Sequence, residues 1–183
     1  MHKIKFYGIG GQGAVTAAKI LSVAVCLYQD EYAITVPAYS HERRGTPVFA
    51  HIIVDDKPVL LNYYVYEPDV IVVFDENLID MGVDIAEGCT EDTVLVLNTA
   101  RPEMVERYRQ AGGFRRILAC DATDAAIRNI NLNIPNSAML GALARTGIVS
   151  LDAVCEALRA NFGKVGEKNV NAARYAYEHT LDA

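Results

Sequence analysis

Tryptophan is absent from the 183 residues, and the four cysteines, Cys26, Cys89, Cys120 and Cys155, stand far apart. Without a C-x-x-C pair the chain lacks the sequence pattern of an iron–sulfur cluster, a structural zinc site or a redox dithiol. The cysteines then read as small buried hydrophobes in a reducing compartment. His2, His41, His51 and His179 show no i, i+4 spacing, so no metal site is expected. Basic side chains are also scarce. Seventeen Lys and Arg against 23 Asp and Glu leave a net charge of −6, which argues against a nucleic-acid or anionic-membrane partner. No run reaches the ~18–20 apolar residues that a membrane span needs, and Met1 to Tyr7 is too poor in apolar residues for a signal peptide. A cytoplasmic protein is expected.

What the chain does have is 51% hydrophobic residues, enough for one domain over 1–183 that buries roughly 70% of its unfolded surface. Lys3 to Tyr7 reads as a short strand that stops at glycine, and the apolar positions from Ala14 to Tyr28 recur at the helical period. That helix is polar only at Gln12, Thr16, Lys19 and Ser22, a stripe so narrow that a second packing surface is expected on it.

A second strand over Tyr32–Val36 is halted by Pro37, and Ser40 to Thr46 follows as a loop. Pro47 to Val54 is β-rich, and the turn Asp55-Asp56-Lys57-Pro58 suggests a hairpin with Val59 to Leu61. Val70–Phe74 and Val94–Leu97 have the composition of strands buried on both faces, and Ile117–Cys120 is a weaker strand. Helices are expected over Pro102–Gln110 and Thr123–Ile130. After Pro135 three helical stretches follow without an intervening strand, at Ser137–Arg145, Leu151–Asn161 and Lys168–Leu181. The fold class is therefore α/β and Rossmann-like: a mostly parallel sheet flanked by helices, a β-hairpin after the second strand, an α/β body over 1–134 and C-terminal helices over 135–183 packed on it.

The sharpest local signal is Gly8-Ile9-Gly10-Gly11-Gln12-Gly13, a G-x-G-x-x-G sequence between a strand and a helix. Free amides and the helix dipole at that turn favour an anion. Glycines that merely let strand and helix pack closely explain the sequence equally well. A nicotinamide site would also want an acidic residue ending the second strand. That strand instead ends Thr35-Val36-Pro37-Ala38, with Asp30 and Glu31 too early. The second constellation is Ser40-His41-Glu42-Arg43-Arg44-Gly45-Thr46, placed by the topology at the same carboxyl edge, where Arg43 and Arg44 suit phosphate or carboxylate. An ion pair with Glu42 and a subunit contact are the alternative uses. Asp75 and Asn98 close two strands, with capping of the next helix as the expected role of each. No nucleophile elbow, carboxylate pair or oriented histidine is present, so no catalytic residue is assigned.

Gly8 to Leu21, the segment Glu42-Arg43-Arg44-Gly45-Thr46-Pro47-Val48, the run Glu67-Pro68-Asp69 to Asp75, and Asn133-Ile134-Pro135-Asn136-Ser137 to Leu143 together resemble the gamma subunit of the 2-oxoacid:ferredoxin oxidoreductases. The resemblance spans essentially the whole chain, with Tyr39 and His41 departing from the residues expected there. It implies a complex with alpha and beta subunits, in some members also a delta or ferredoxin-like subunit, that oxidatively decarboxylates a 2-oxoacid, forms an acyl-CoA and reduces ferredoxin. Thiamine diphosphate, Mg and iron–sulfur clusters are expected on the other subunits, and no cofactor is assigned with certainty to this chain. Gly8, Gly10, Gly11, Gln12, Gly13, Arg43, Arg44 and Thr46 are the candidate positions for partner docking and for CoA. An autonomous dinucleotide- or CoA-binding protein, or a homo-oligomer, is the alternative reading of the same residues.

Overall fold

The strands lie in one seven-stranded sheet of order β2-β3-β1-β4-β5-β6-β7. They are β1 (His2–Ile9), β2 (Tyr32–Ala38), β3 (Pro47–Asp55), β4 (Val70–Val73), β5 (Val94–Asn98), β6 (Arg116–Cys120) and β7 (Leu181–Asp182). The computed structural model describes residues 1–38, 45–60 and 63–183. β1, β4, β5 and β6 pair in parallel, whereas β3 is antiparallel to both β1 and β2, and β7 is antiparallel to β6. β4 is short and wholly aliphatic because both its faces are covered: every one of its residues is buried, as a parallel strand under two helical layers requires.

The Rossmann-like class holds, with one change of partner. The hairpin expected with residues 59–61 is not formed at positions 59 and 60, which carry no strand, and position 61 lies outside the described residues. The partners of β3 are β2 and β1, in the register Ala38↔Phe49 and Ile9↔Pro47. Five consecutive residues of β3, Ala50 to Val54, are buried, so the strand is worth more between two strands than at the end of a local hairpin. β7, two residues long, adds an antiparallel edge that short-range patterning does not reveal.

Among the described residues six α-helices cover the faces. α1 (Ala14–Tyr28), α3 (Ala122–Ile130), α4 (Asn136–Ala144), α5 (Leu151–Phe162) and α6 (Gly166–His179) share one core with Ile4, Phe6, Ile52 and Val72 of the sheet. α2 (Pro102–Gly112) lies on the other face, where Met104 and Tyr108 pack with Tyr7, Ile71 and Leu97. The second packing surface expected on α1 is supplied within the chain: α1 contacts α5 and α4 as well as β1, β2 and β3. Its apolar composition is thus explained without a partner subunit. α4 is buried along its entire length, sandwiched between sheet and α6, so it carries no polar stripe at all.

Candidate functional site

The carboxyl edge of β1 turns into α1 through the glycine loop. Gly10 N–H donates to the Thr46 carbonyl at 2.9 Å and Gly45 N–H donates to the Gly10 carbonyl at 3.2 Å. The two sequence signals therefore touch, because β3 runs antiparallel to β1 and its first residue, Pro47, sits opposite Ile9. Of the candidate residues, Gly8, Gly10, Gly11, Gln12, Gly13 and Thr46 are brought together at this corner. Arg43 and Arg44 lie outside the described residues.

The glycines divide into two jobs. Gly8 and Gly13 are required by packing: a Cβ on Gly8 would lie 2.8 Å from that of Ala14, and one on Gly13, whose φ is +78°, would lie 2.8 Å from Asn136 Nδ2. Gly10 and Gly11, with Gly13, border a cavity of about 540 Å³ together with Ile9, Val48, Ile134 and Phe162. Ala14, Val15 and Thr16, the first turn of α1, line it too, and among the described residues no side chain caps that helix end. Unpaired amides and the positive end of the helix dipole make this mouth receptive to an anion.

Gln12 clamps the loop. Its Oε1 accepts from Ile9 N–H at 2.9 Å, and its Nε2 donates to Asp75 Oδ2 at 2.6 Å. Asp75 Oδ1 in turn accepts from the backbone and side chain of Asn77 and caps the short 3₁₀ turn Glu76–Ile79. A charge-assisted hydrogen bond of this kind contributes about 1.5–3 kcal/mol. Gln12→Ala is accordingly expected to lower stability by about 2 kcal/mol, while Gln12→Glu, which faces Asp75 with a like charge, is expected to cost more. Urea midpoints of the two variants check this.

The crevice at the ends of β4 and β5, where dinucleotides sit in open α/β sheets, has a different character. It measures about 280 Å³ and is lined by Asp75, Glu76, Asp121 and Asn98, with Arg101. Arg101 is already paired with Glu76 at 2.6 Å, so the crevice presents an excess of carboxylate and repels a pyrophosphate. Asn98 does not cap α2, the next helix in the chain; its Oδ1 accepts from Ala122 and Thr123 at the start of α3. Among the described residues no three His, Cys, Asp or Glu side chains converge as metal ligands would.

The sequence profile of the family described as pyruvate ferredoxin/flavodoxin oxidoreductase matches residues 3–179. The chain belongs to that family. It is 41% identical to a Pyrococcus furiosus protein named pyruvate/ketoisovalerate oxidoreductases common subunit gamma, over 98% of this chain and 97% of that one. It is 44% identical to pyruvate synthase subunit PorC of Methanothermobacter marburgensis, over 97% of both. The crystal structure of pyruvate oxidoreductase subunit PORC from Thermotoga maritima superposes with a TM-score of 0.86 at 36% identity, covering 100% of this chain and 98% of that one.

Within this oxidoreductase-family chain the residue that sequence reasoning passed over is Asn136. It packs against Gly13 and lines the anion-receptive cavity beside Ile134. The segment Asn133-Ile134-Pro135-Asn136 was available as a motif, but its position more than 120 residues from the glycine loop gave no hint that α4 begins there.

Proposed function

We propose that this chain is the gamma subunit of a multisubunit, thiamine-diphosphate-dependent 2-oxoacid:ferredoxin oxidoreductase, and that it docks on the catalytic subunits and receives an anionic part of CoA. The complex converts 2-oxoacid, CoA and oxidised ferredoxin to acyl-CoA, CO₂ and reduced ferredoxin. Its alpha and beta subunits, with a delta or ferredoxin-like subunit where present, hold the thiamine diphosphate, Mg and iron–sulfur clusters. This chain contributes no redox group and is inactive alone. The observation that carries the reading is the glycine loop hydrogen-bonded to Gly45 and Thr46 around a helix start without a side-chain cap among the described residues, in a chain that matches gamma subunits from end to end.

The residues fit the phosphates of CoA better than a whole dinucleotide. The cavity offers amides for a phosphate and the apolar walls of Ile134, Val48 and Phe162 for the body of the ligand, whereas the neighbouring crevice is acidic. Arg43 and Arg44, next to Gly45 in sequence, are assigned to the same anion. Substrate choice is assigned to the other subunits, a division supported by a relative whose name makes it common to pyruvate and ketoisovalerate enzymes.

The test is the double variant Arg43→Ala/Arg44→Ala, co-expressed with the partner subunits. At ~1.5–3 kcal/mol per charged hydrogen bond, the KM for CoA is expected to rise at least about tenfold, with the stability of the gamma chain unchanged. A wild-type KM in a fully assembled complex would remove these arginines from the site.

A further inference from the structure

On the sheet face opposite α1, a second cavity of about 460 Å³ is lined by Lys5, Tyr7, Phe49, His51, Tyr64 and Tyr66, with Asp84 and Glu87 also on its wall. It shares no residue with the glycine-loop cavity, and its chemistry is independent of the function proposed for that loop. Three of its residues are polar where a sheet face is normally apolar. Lys5 and His51 stand directly opposite each other in the β1–β3 register, and Tyr7 opposite Phe49 is the next pair on that face. Lys5 is 8% exposed, His51 7% and Tyr7 1%.

Each presents a donor. The Tyr7 hydroxyl is the one buried side-chain polar atom without a hydrogen-bond partner among the described residues. Such an orphan costs about 1–3 kcal/mol and calls for an explanation. The Lys5 ammonium lies 4.9 Å from the centre of the Tyr7 ring. Its acidic partner is Glu87 at 3.4 Å, a long contact to a side chain that is 69% exposed. His51 Nδ1 accepts the Val65 amide proton at 3.1 Å, which places the ring proton on Nε2.

Burial, aided by the charge of Lys5, pushes the His51 pKa down to about 4, and burial raises that of Tyr7 above the usual phenol range. At neutral pH the His51 imidazole and the Tyr7 phenol on the floor are therefore both neutral donors. The walls are aromatic: Tyr64 packs on the His51 ring with centroids 4.8 Å apart, and Phe49 meets Tyr7 edge-on at 5.4 Å. Tyr64 and Tyr66 are 45% and 72% exposed, leaving apolar surface at the rim.

We infer that this cavity binds a small organic carboxylate with an aromatic body, the carboxylate replacing Glu87 on Lys5 and accepting from Tyr7, the body lying among Phe49, Tyr64 and Tyr66. Asp84 and Glu87 are exposed to solvent on the wall, whereas Lys5 is the charge buried beside the other donors, so the floor selects an anion. Aromatic walls around a few convergent polar groups are the usual construction of a small-molecule site. Displacing Glu87 costs little, since its exposed carboxylate returns to water while the buried Lys5 gains another carboxylate in its place.

The probes are 3-phenylpropionate, its neutral amide 3-phenylpropionamide, and acetate, each titrated into the ¹⁵N-labelled full chain. The expected result is saturable movement of the Val65 amide and of the His51 ring nitrogens with 3-phenylpropionate, and at least about tenfold weaker binding of the other two, which lack the charge or the body. Tyr7→Phe and Lys5→Met are each expected to weaken 3-phenylpropionate at least about fivefold, Tyr7→Phe with no loss of thermal stability because it removes an orphaned hydroxyl. Glu87→Gln, a change at an exposed position, is expected to tighten binding by freeing Lys5. No movement of Val65 and His51 with any probe, equal response to acid and amide, or unchanged affinity in both Tyr7→Phe and Glu87→Gln would overturn the inference.

Discussion

Alanine in place of Gly141 is expected to leave little folded protein. Gly141 lies in α4 where that helix crosses α6, and an added Cβ would overlap the Ala173 carbonyl oxygen and stand 2.6 Å from its carbon and 2.8 Å from its Cα. The obstacle is backbone, which no rotamer change relieves. Ser137 Oγ donates to Asn169 Oδ1 at 2.7 Å one turn away, and Ala172, Ala173 and Ala176 are buried against the same core, so α6 cannot slide aside without losing that packing. Overpacking costs about 1–3 kcal/mol where side chains can yield and more where they cannot; at least about 4 kcal/mol is expected here, a large part of a typical domain's stability. Gly147→Ala is the matched control. Its φ is +83° with open space around the Cβ position, so only backbone strain of about 1–2 kcal/mol is at stake. Soluble yield and urea unfolding of the two variants measure the difference; equal behaviour would mean that α4 and α6 do not pack as described.

The second large effect is expected at Asn98. This side chain is 6% exposed. Its Nδ2 donates to the Phe74 carbonyl at 2.9 Å and to Thr123 Oγ1 at 3.0 Å, while its Oδ1 accepts from Ala122 N–H at 2.9 Å and Thr123 N–H at 3.2 Å. One amide thus joins the ends of β4 and β5 to the start of α3. Asn98→Ala strands two helix-start donors and a strand carbonyl in a poorly hydrated place, at about 1–3 kcal/mol for each group left unsatisfied. A total near 3 kcal/mol corresponds to roughly 6–12 °C in Tm for a chain of this length. Asn98→Asp keeps the acceptor for Ala122 and Thr123 and loses only the donors, so its midpoint is expected to fall between wild type and alanine. An aspartate variant no better than alanine would show that the Nδ2 contacts, not the helix start, carry the effect.

Much of this architecture is legible in the residues because each signal is local. Four aliphatic residues in a row at Val70–Val73 have no use except in a strand covered on both faces, and glycine between β1 and α1 marks the turn whichever role it plays. The partner of β3 was not legible. Val59 to Leu61 is the nearest apolar run, and nothing in sequence shows that β1 and β2 offer two full ladders instead. The apolarity of α1 was legible but its cause was not, since a helix covered by α5 of its own chain and one covered by another subunit carry the same pattern. At the site, both signals were readable, and their contact comes from one antiparallel pairing, Ile9 opposite Pro47. The roles within the glycine loop were hidden for a similar reason: Gly13 is glycine because of Asn136, a neighbour supplied by the fold from the far end of the chain. The polar floor at Lys5, Tyr7 and His51 is hidden too, because alternating lysines in a first strand read as its solvent face.

The proposed function makes this polypeptide a working part only within an assembly. The decisive measurement is 2-oxoacid- and CoA-dependent ferredoxin reduction by the purified chain, compared with the same chain co-purified with the products of the adjacent reading frames. No turnover by the chain alone and a stable, active complex with its partners are expected. Turnover by the isolated chain, or failure to associate with thiamine- and cluster-binding subunits, would contradict the proposal.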